Sequence, residues 1–247
     1  MDQSRPTLGQ VKILGLGAGG HLRVMLETLR VCGIHVDGLL DPQAPVGTLI
    51  DGVPVLGPDS LLSSPPATLT GVFLGIGSTV RPDRRTAVYQ WLRALPCPVL
   101  AVIHPSAIIA STAHVGAGVT VLAGAYVGPG ARLGDNVLVN TGAIVEHDCQ
   151  IGDHVHIATG AKLAGSVTVG AGSHIGIGAV IRQGIIIGQG VIVGAGAVVV
   201  KPLPDYVVAV GVPARMFPVA DWGFEDLDFG PLVRDCKPNA TYGEIRR

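Results

Sequence analysis

The sequence is poor in charged and aromatic residues. Of its 247 residues only 14% are charged, the net charge is −1, and aromatic residues make up 4%. A chain with so few cations offers no basic patch for nucleic acid. It also lacks an apolar run long enough to span a bilayer and a signal peptide at its start, so we predict no membrane span and a cytoplasmic location.

Cysteine is scarce as well. The four cysteines, Cys32, Cys97, Cys149 and Cys236, share no spacing typical of metal ligands. They indicate a reduced, cytoplasmic protein whose thiols are buried or idle.

Small and aliphatic residues are abundant, and they recur with a period of six. An aliphatic residue occupies every sixth position from residue 103 to residue 199, seventeen times without a break. A helix would repeat near 3.6 residues and an ordinary strand near 2, so the pattern fits neither. It predicts a parallel β-helix in which three hexapeptides close one triangular coil of 18 residues, with the aliphatic side chains stacked inside. Solenoids of this kind are used mostly by acyltransferases. The series is Ile103, Ile109, Val115, Val121, Val127, Leu133, Val139, Val145, Ile151, Ile157, Leu163, Val169, Ile175, Ile181, Ile187, Val193 and Val199.

The first hundred residues have a different pattern, in which strand-like and helix-like stretches alternate. Such alternation predicts a small α/β domain with a parallel sheet over residues 1–101. The solenoid would follow over 102–216, with its first end capped by the α/β domain. The tail, 217–247, holds three of the four Phe, and we expect it to dock at the other end. The predicted strands are 11–17, 36–40, 72–76 and 99–103, and the predicted helices are 20–32 and 86–95.

A glycine-rich loop connects the first strand to the first helix. The segment from Gly15 to Gly20 fits G-x-G-x-x-G, and the backbone amides of such a helix start can bind a phosphate. Asp41 ends the next strand, where an acid that binds ribose would lie. We interpret the loop as a site for a nucleotide diphosphate. A tight turn without a ligand is the alternative, and the domain is too small for a complete dinucleotide fold.

Histidine supplies the candidate catalytic group. His147 lies between Glu146 and Asp148, and an acid beside an imidazole can orient it and raise its basicity as a general base. Neighbouring residues of a strand point to opposite faces, but position 147 should fall near a corner of the coil. His156 and His174 are one coil apart and should stack on one face.

The histidine spacing does not favour a metal. One class of carbonic anhydrase binds zinc on the same prism with two His 36 residues apart and a third five residues after the second. No two His in this sequence are 36 or five residues apart. We therefore predict no metal.

Over residues 11–216 the sequence resembles the bacterial sugar acetyltransferases of the PglD/NeuD type, which belong to the hexapeptide-repeat superfamily. The most specific segment is the run from Asn140 to Cys149. The matching segments read GAGGH at 17–21, GLLD at 38–41, GIG at 75–77, HPSA at 104–107, NTGAIVEHDC at 140–149, IGDHVH at 151–156 and GVPAR at 211–215.

The resemblance implies a small Rossmann-like domain followed by a left-handed parallel β-helix, and it implies roles for individual residues. His147 resembles the general base, Asp148 its acid partner, and Asn140 a residue near the amine. The sequence departs from the family pattern in two ways. Pro42 stands where the family often has a second acid after Asp41, and the aromatic tail after Phe217 is longer than the family leads us to expect. The positions that match the acetyl-CoA site are His156 and Gly165. The positions that match the nucleotide-sugar cradle are Gly17, Ala18, Gly19, Gly20, His21, Asp41, Gly77, Ser78 and Thr79.

The resemblance further implies N-acetylation of a nucleotide-linked amino sugar for surface glycans, with acetyl-CoA as co-substrate. The site would lie between the prisms of a homotrimer. Holding both substrates in one cleft would supply rate through proximity, and a backbone amide would stabilise the oxyanion. Lys162, Lys201 and Arg215 are candidates for the CoA phosphates. O-acetylation of a sugar such as sialic acid and a non-catalytic nucleotide-sugar scaffold are the alternatives. The nucleobase, the sugar, the acylated position and the choice of oxyanion amide stay open.

Overall fold

The α/β part of the chain is a five-stranded sheet with two helices. The computed structural model describes residues 12–78 and 83–218. The elements in chain order are β1 (Ile13–Leu16), α1 (Gly20–Val31), β2 (Gly38–Leu40), β3 (Leu49–Ile50), β4 (Val53–Gly57), a 3-10 helix (Asp59–Ser63), β5 (Gly71–Leu74) and α2 (Asp83–Arg93).

The sheet has the order β3-β4-β2-β1-β5. Strands β1, β2, β4 and β5 are parallel, as the alternating pattern predicts, and β3 is an antiparallel edge strand. The β3–β4 hairpin was not predicted, although Asp51-Gly52 between two aliphatic residues is a hairpin signal. Both residues have positive φ, 47° and 88°, as a two-residue turn of this type requires. The predicted strand 99–103 is divided: Val99 forms one bridge to Val72, and Val102–Ile103 begins the solenoid.

Seventeen strands of two residues each form the solenoid between Val102 and Val199, a stretch that is described without a gap. Each of the first fourteen strands pairs in parallel with the strand 18 residues later, which confirms the predicted coil. The strands are β6 (Val102–Ile103), β7 (Ile108–Ile109), β8 (His114–Val115), β9 (Thr120–Val121), β10 (Tyr126–Val127), β11 (Arg132–Leu133), β12 (Leu138–Val139), β13 (Ile144–Val145), β14 (Gln150–Ile151), β15 (His156–Ile157), β16 (Lys162–Leu163), β17 (Thr168–Val169), β18 (His174–Ile175), β19 (Val180–Ile181), β20 (Ile186–Ile187), β21 (Ile192–Val193) and β22 (Val198–Val199).

These strands form three faces of a prism. The first face consists of β6, β9, β12, β15, β18 and β21, and the second of β7, β10, β13, β16, β19 and β22. The third consists of β8, β11, β14, β17 and β20. The strands β23 (Val207–Val210) and β24 (Arg215–Pro218) extend the first face after the last coil.

The second residue of each strand points into the prism, because its aliphatic side chain is excluded from water there. From Val121 to Val199 these side chains are buried in one continuous core. The first coil is an exception, since Ile103 is 40% exposed. The described α/β residues contact this end, where the Cys32 thiol donates to the Ile103 carbonyl, but they do not cover the Ile103 side chain completely.

The α/β part packs along the first face. Helix α1 places Leu22, Met25, Leu26 and Leu29 in the same hydrophobic cluster as Leu138. At the edge of that face the Tyr89 hydroxyl donates to the Ala117 carbonyl at 3.3 Å. Val102 and Leu122 belong to the same cluster, and burial of these apolar side chains stabilises the packing along the face.

The C-terminal tail from residue 219 onwards lies outside the described residues, so its predicted docking is not described. None of the helices in 12–78 and 83–218 is long and apolar enough to cross a bilayer.

Candidate active site

The predicted general base lies at a corner between the second and third faces. We call this edge, residues 146–149, 164–167, 182–185 and 200–203, the His147 corner. His147 Nδ1 is 2.9 Å from Asp148 Oδ2, and the His147 side chain is 49% exposed. Asp148 has φ 58°, and this turn conformation brings two neighbouring side chains together. Because a carboxylate only accepts, Nδ1 carries the proton and Nε2 keeps a free lone pair.

Gly165 follows His147 by one coil on the same corner, and the imidazole covers it. A Cβ on Gly165 would overlap the imidazole around Nε2, so the position requires glycine for as long as the ring lies there. The Gly165 N–H makes no backbone hydrogen bond within the described residues. A basic nitrogen and a free amide donor are therefore neighbours at the prism surface.

Lys201 lies on the same corner three coils beyond His147, because both belong to a row that repeats every 18 residues. At the usual strand spacing this is about 14 Å along the prism. Lys201 is exposed, and so is Arg182 on the same corner, a cation that the sequence reasoning did not select. Arg215 begins β24, and its neighbour Ala214 bonds to Val198 in the last coil. Lys201 and Arg215 thus lie at one end of the prism.

The glycine-rich loop lies elsewhere, at the carboxyl end of β1. Gly17 has φ +101° and donates to the Leu40 carbonyl. A Cβ on Gly19 or Gly20 would meet no atom within 4 Å. Gly19 has φ −85°, so among these glycines the left-handed backbone that favours glycine occurs at Gly17. These two glycines, with Ala18 before them, leave open space at the start of α1.

His21 and the loop 75–78 line the base of this open space. Burial, together with the positive charge of Arg85, lowers the pKa of His21 to about 4. Gly77 packs against His21, since a Cβ there would be 3.2 Å from His21 Cβ. His21 Nε2 and Ser78 Oγ are buried without a hydrogen-bond partner among the described residues. Thr79 lies outside the described residues.

Asp41 holds the turn that follows β2. Its Oδ1 accepts from the backbone N–H groups of Gln43 and Ala44 at 2.8 and 3.0 Å. Burial and the charge of Asp41 raise the pKa of Asp59, which follows β4. A second acid therefore lies near Asp41 in space, although Pro42 follows it in sequence. The sequence reasoning missed Asp59 because it missed β4.

A buried polar network joins the loop 75–78 to the first face of the prism. His156 Nδ1 bonds to the Ser78 carbonyl, and His156 Nε2 lies 3.2 Å from Asn140 Nδ2. His156 and His174 stack edge to face with ring centroids 4.8 Å apart, as their spacing predicts. Burial lowers the pKa of His156 to about 3 and that of His174 to about 4. No group of three metal-ligating side chains occurs within the described ranges.

Arg85 belongs to this junction and was not selected from the sequence. It is buried and donates to the carbonyls of Leu74 and Ile76 at 3.3 and 2.7 Å. Burial lowers its pKa to about 10, so it stays charged at neutral pH. Nothing in an R-R-T run at a helix start distinguishes a buried arginine from an exposed one.

The two groups of candidate residues do not meet within one chain. The cradle and the network lie on the first face and at its edge with the second face, around Asn140. The His147 corner separates the second and third faces. In a triangular cross-section that corner is opposite the first face. The two groups of one chain therefore lie on different sides of the prism.

Comparison with known proteins agrees with this architecture. A model of the bacterial transferase hexapeptide family, six repeats, matches residues 130–165. Perosamine N-acetyltransferase from Caulobacter crescentus, solved as a His-to-Asn mutant with CoA and GDP-perosamine, is 36% identical with a TM-score of 0.79, and the match covers 83% of this chain and 96% of that chain. This chain belongs to the sugar acetyltransferases of the hexapeptide superfamily.

Two further solved structures support the assignment to this family. The acetyltransferase domain of PglB from Neisseria gonorrhoeae, in complex with acetyl coenzyme A, is 36% identical with a TM-score of 0.78, over 85% of this chain and 100% of that one. WeeI from Acinetobacter baumannii is 30% identical with a TM-score of 0.71, over 83% and 99%. No curated protein matches the sequence.

Proposed function

We propose that the protein transfers the acetyl group of acetyl-CoA directly to the amine of a nucleotide-linked amino sugar. The observation that carries this proposal is the His147–Asp148 pair above Gly165 on an exposed corner, in a chain related to sugar N-acetyltransferases. The reaction would be a cytoplasmic step of surface-glycan synthesis.

The chemistry follows from the arrangement at the His147 corner. The amine attacks the thioester carbon, and Nε2 of His147 takes the amine proton. Asp148 holds the other nitrogen protonated and stabilises the imidazolium. The Gly165 N–H would donate to the oxyanion that forms. When the C–S bond breaks, the CoA thiolate leaves and the imidazolium returns the proton to it.

Acetyl-CoA would lie along the His147 corner, with its thioester at Gly165. Lys201 would meet the phosphates about 14 Å from His147, and Arg182 would lie between them. Arg215 would contribute a further phosphate contact at the same end of the prism. Phosphate contacts of this kind are charge-assisted, which makes them stronger than neutral hydrogen bonds.

Residues 1–101 would hold the nucleotide and residues 102–216 the acetyl donor. The parallel sheet and the glycine loop support a Rossmann-like assignment of the first part, and the family supports left-handed winding of the second. Gly17 to His21, Asp41 and the loop 77–79 would form the cradle, with the diphosphate at the start of α1. Three structures of one relative, the perosamine N-acetyltransferase, hold GDP-perosamine, so we propose a GDP-linked amino sugar first.

A homotrimer would bring the two groups together. The outer residues of the second face are largely apolar, and Val180 is 40% exposed. This face lies between the His147 corner and the edge that carries Asn140. A neighbour that covers it can place its own cradle beside His147 of the first chain. Three copies close such a head-to-tail contact into a ring. The outer residues of this face are Ile108, Tyr126, Ile144, Lys162, Val180 and Val198.

The experiment is a thermal-shift screen of GDP-, UDP-, dTDP- and CMP-linked amino sugars with acetyl-CoA, followed by mass spectrometry of the product. An N-acetylated sugar with release of CoA supports the proposal. An O-acetylated product would favour the sialic-acid type of reaction, and binding without turnover would favour a scaffold.

Gly19→Val tests which part holds the nucleotide. The site is open and its φ is negative, so the variant should fold normally. A side chain in the open space should weaken nucleotide-sugar binding about tenfold or more and leave acetyl-CoA binding unchanged. Calorimetry that shows the reverse would mean that the two substrates are assigned to the wrong parts of the chain.

A further inference from the structure

The protonation state of His156 follows from its partners. A backbone carbonyl only accepts, so the bond to Ser78 requires the proton on Nδ1. Asn140 Oδ1 accepts from the Thr141 N–H at 2.8 Å, which orients its amide with Nδ2 towards His156. The neutral Nε2 then accepts from Asn140. If the His156 ring were protonated, Nε2 would also carry a hydrogen, and two donors, Nε2–H and the Asn140 Nδ2–H, would face each other.

Both ring nitrogens of His156 are therefore used by the protein, and the residue is only 6% exposed. One nitrogen holds the loop that carries Gly77 and Ser78. The other orients Asn140, whose second N–H stays available to a ligand. Neither nitrogen is left for acetyl-CoA, with which the resemblance pairs this position.

We propose that His156 is a positioning residue for the nucleotide sugar: it ties the cradle loop 75–78 to Asn140 and so sets the distance between the nucleotide site and the group near the amine. This inference rests on the proposed function for its substrate and on the buried contacts alone for its geometry. Arg85 supports the same loop from its other side through the Leu74 and Ile76 carbonyls.

The geometric part is tested without any substrate. In protein labelled with ¹⁵N-histidine, NMR should show His156 as neutral, with its proton on Nδ1, at pH 7. Hydrogen exchange of residues 75–78 should be about tenfold faster in His156→Phe, which keeps a ring of similar size but loses both bonds. A proton on Nε2, or unchanged exchange in the variant, would overturn the proposal.

The functional part is tested by steady-state kinetics with acetyl-CoA and GDP-perosamine, or with the nucleotide sugar that the screen selects. His156→Phe should raise KM for the nucleotide sugar about tenfold and change KM for acetyl-CoA less than about twofold. His156→Asn can still donate to the Ser78 carbonyl, so it should recover part of the loss and normal loop exchange. It also serves as the test variant if the phenylalanine variant does not fold.

His174→Phe is the matched control, because His174 is in the same row, one coil further on, and makes no bond to the loop. It should change neither KM. If His156→Phe raises KM for acetyl-CoA alone, His156 belongs to the CoA site and the proposal is wrong. If the wild-type protein acetylates no nucleotide sugar, the proposed function fails, while NMR and exchange still decide the positioning role.

Discussion

His147 and His156 are nine residues apart, and the fold gives them opposite chemistry. His147 lies half-exposed at a corner, with a carboxylate on one nitrogen and the other nitrogen free. His156 lies buried under the α/β part, with a carbonyl on one nitrogen and an amide on the other. The first can take a proton during a reaction. The second must stay neutral to keep its partners.

The comparison shows that the residue type alone does not determine a role in this family. Both histidines have Nδ1 bonded to an oxygen, which fixes the tautomer in the same way. The difference is the surroundings of Nε2: in His147 it lies over Gly165 without a hydrogen-bond partner among the described residues, and in His156 it is bonded to Asn140. The free Nε2 of His147 can accept a proton. The Nε2 of His156 is bonded to Asn140 and instead fixes the orientation of that side chain.

The largest expected effect is the loss of kcat when the free Nε2 of His147 is removed. His147→Asn should lower kcat by about 10² to 10⁴, as is typical for a lost general base, with acetyl-CoA affinity nearly unchanged. His156→Asn, the same change at the other histidine, should act mainly on KM. Steady-state kinetics of both variants checks this contrast, and full turnover by His147→Asn at neutral pH would exclude His147 as the base.

The second largest effect tests whether the nucleotide-sugar cradle of one chain meets the His147 corner of a neighbouring chain. Val180→Glu places a charge on the apolar second face. If the protein is the proposed trimer, this variant should be monomeric, with activity reduced about hundredfold because the reacting groups separate. Ile186→Glu is the control, since Ile186 is 59% exposed on the third face. Light scattering combined with activity measurements checks both. A fully active monomer of 25.2 kDa would contradict the shared site.

The buried histidines predict a loss of stability in acid. Their pKa values in the folded state, about 4 for His21 and His174 and about 3 for His156, lie below the value of 6.5 for a free side chain. As the pH falls below 6.5, the unfolded chain binds protons that the folded chain excludes, so stability present above 6.5 is lost down to about pH 4.

Each lowering from 6.5 to about 4 corresponds to about 3 kcal/mol. Urea unfolding at pH 7 and pH 5 should show a lower midpoint at pH 5. His174→Phe should reduce this difference, because it removes one of the groups that titrate only in the unfolded chain. An equal midpoint at both pH values would mean that the junction is open to water.

The smallest expected effect concerns the CoA phosphates. Lys201→Ala should raise KM for acetyl-CoA about fivefold and leave KM for the nucleotide sugar unchanged. Added salt should reduce the difference in KM for acetyl-CoA between the wild-type protein and the variant. Arg132→Ala, an exposed cation on the third face, is the control. If the two substitutions raise KM for acetyl-CoA equally, the cause is the general loss of positive charge, and Lys201 does not bind the CoA phosphates.

Much of the His147 corner could be predicted from the sequence. The 18-residue coil alone puts Gly165 and Lys201 in one row with His147, and the N-T-G-A-x-V-E-H-D-C run marks the base. The contact between His147 and Asp148 also follows once position 147 is placed at a corner. Asp59 and Arg85 could not be found in this way, because their partners are distant in sequence and no repeat relates them.

By itself the sequence determined the solenoid, its register and the residues that share each edge, because these depend on one repeated backbone pairing between neighbouring coils. The tertiary structure alone decided that the α/β part lies along the first face and leaves Ile103 in the first coil partly exposed. That packing depends on matching apolar surfaces and on satisfying buried polar groups across the junction. This packing buries His156 between the loop 75–78 and Asn140. It also places the cradle on the side of the prism opposite the His147 corner of the same chain.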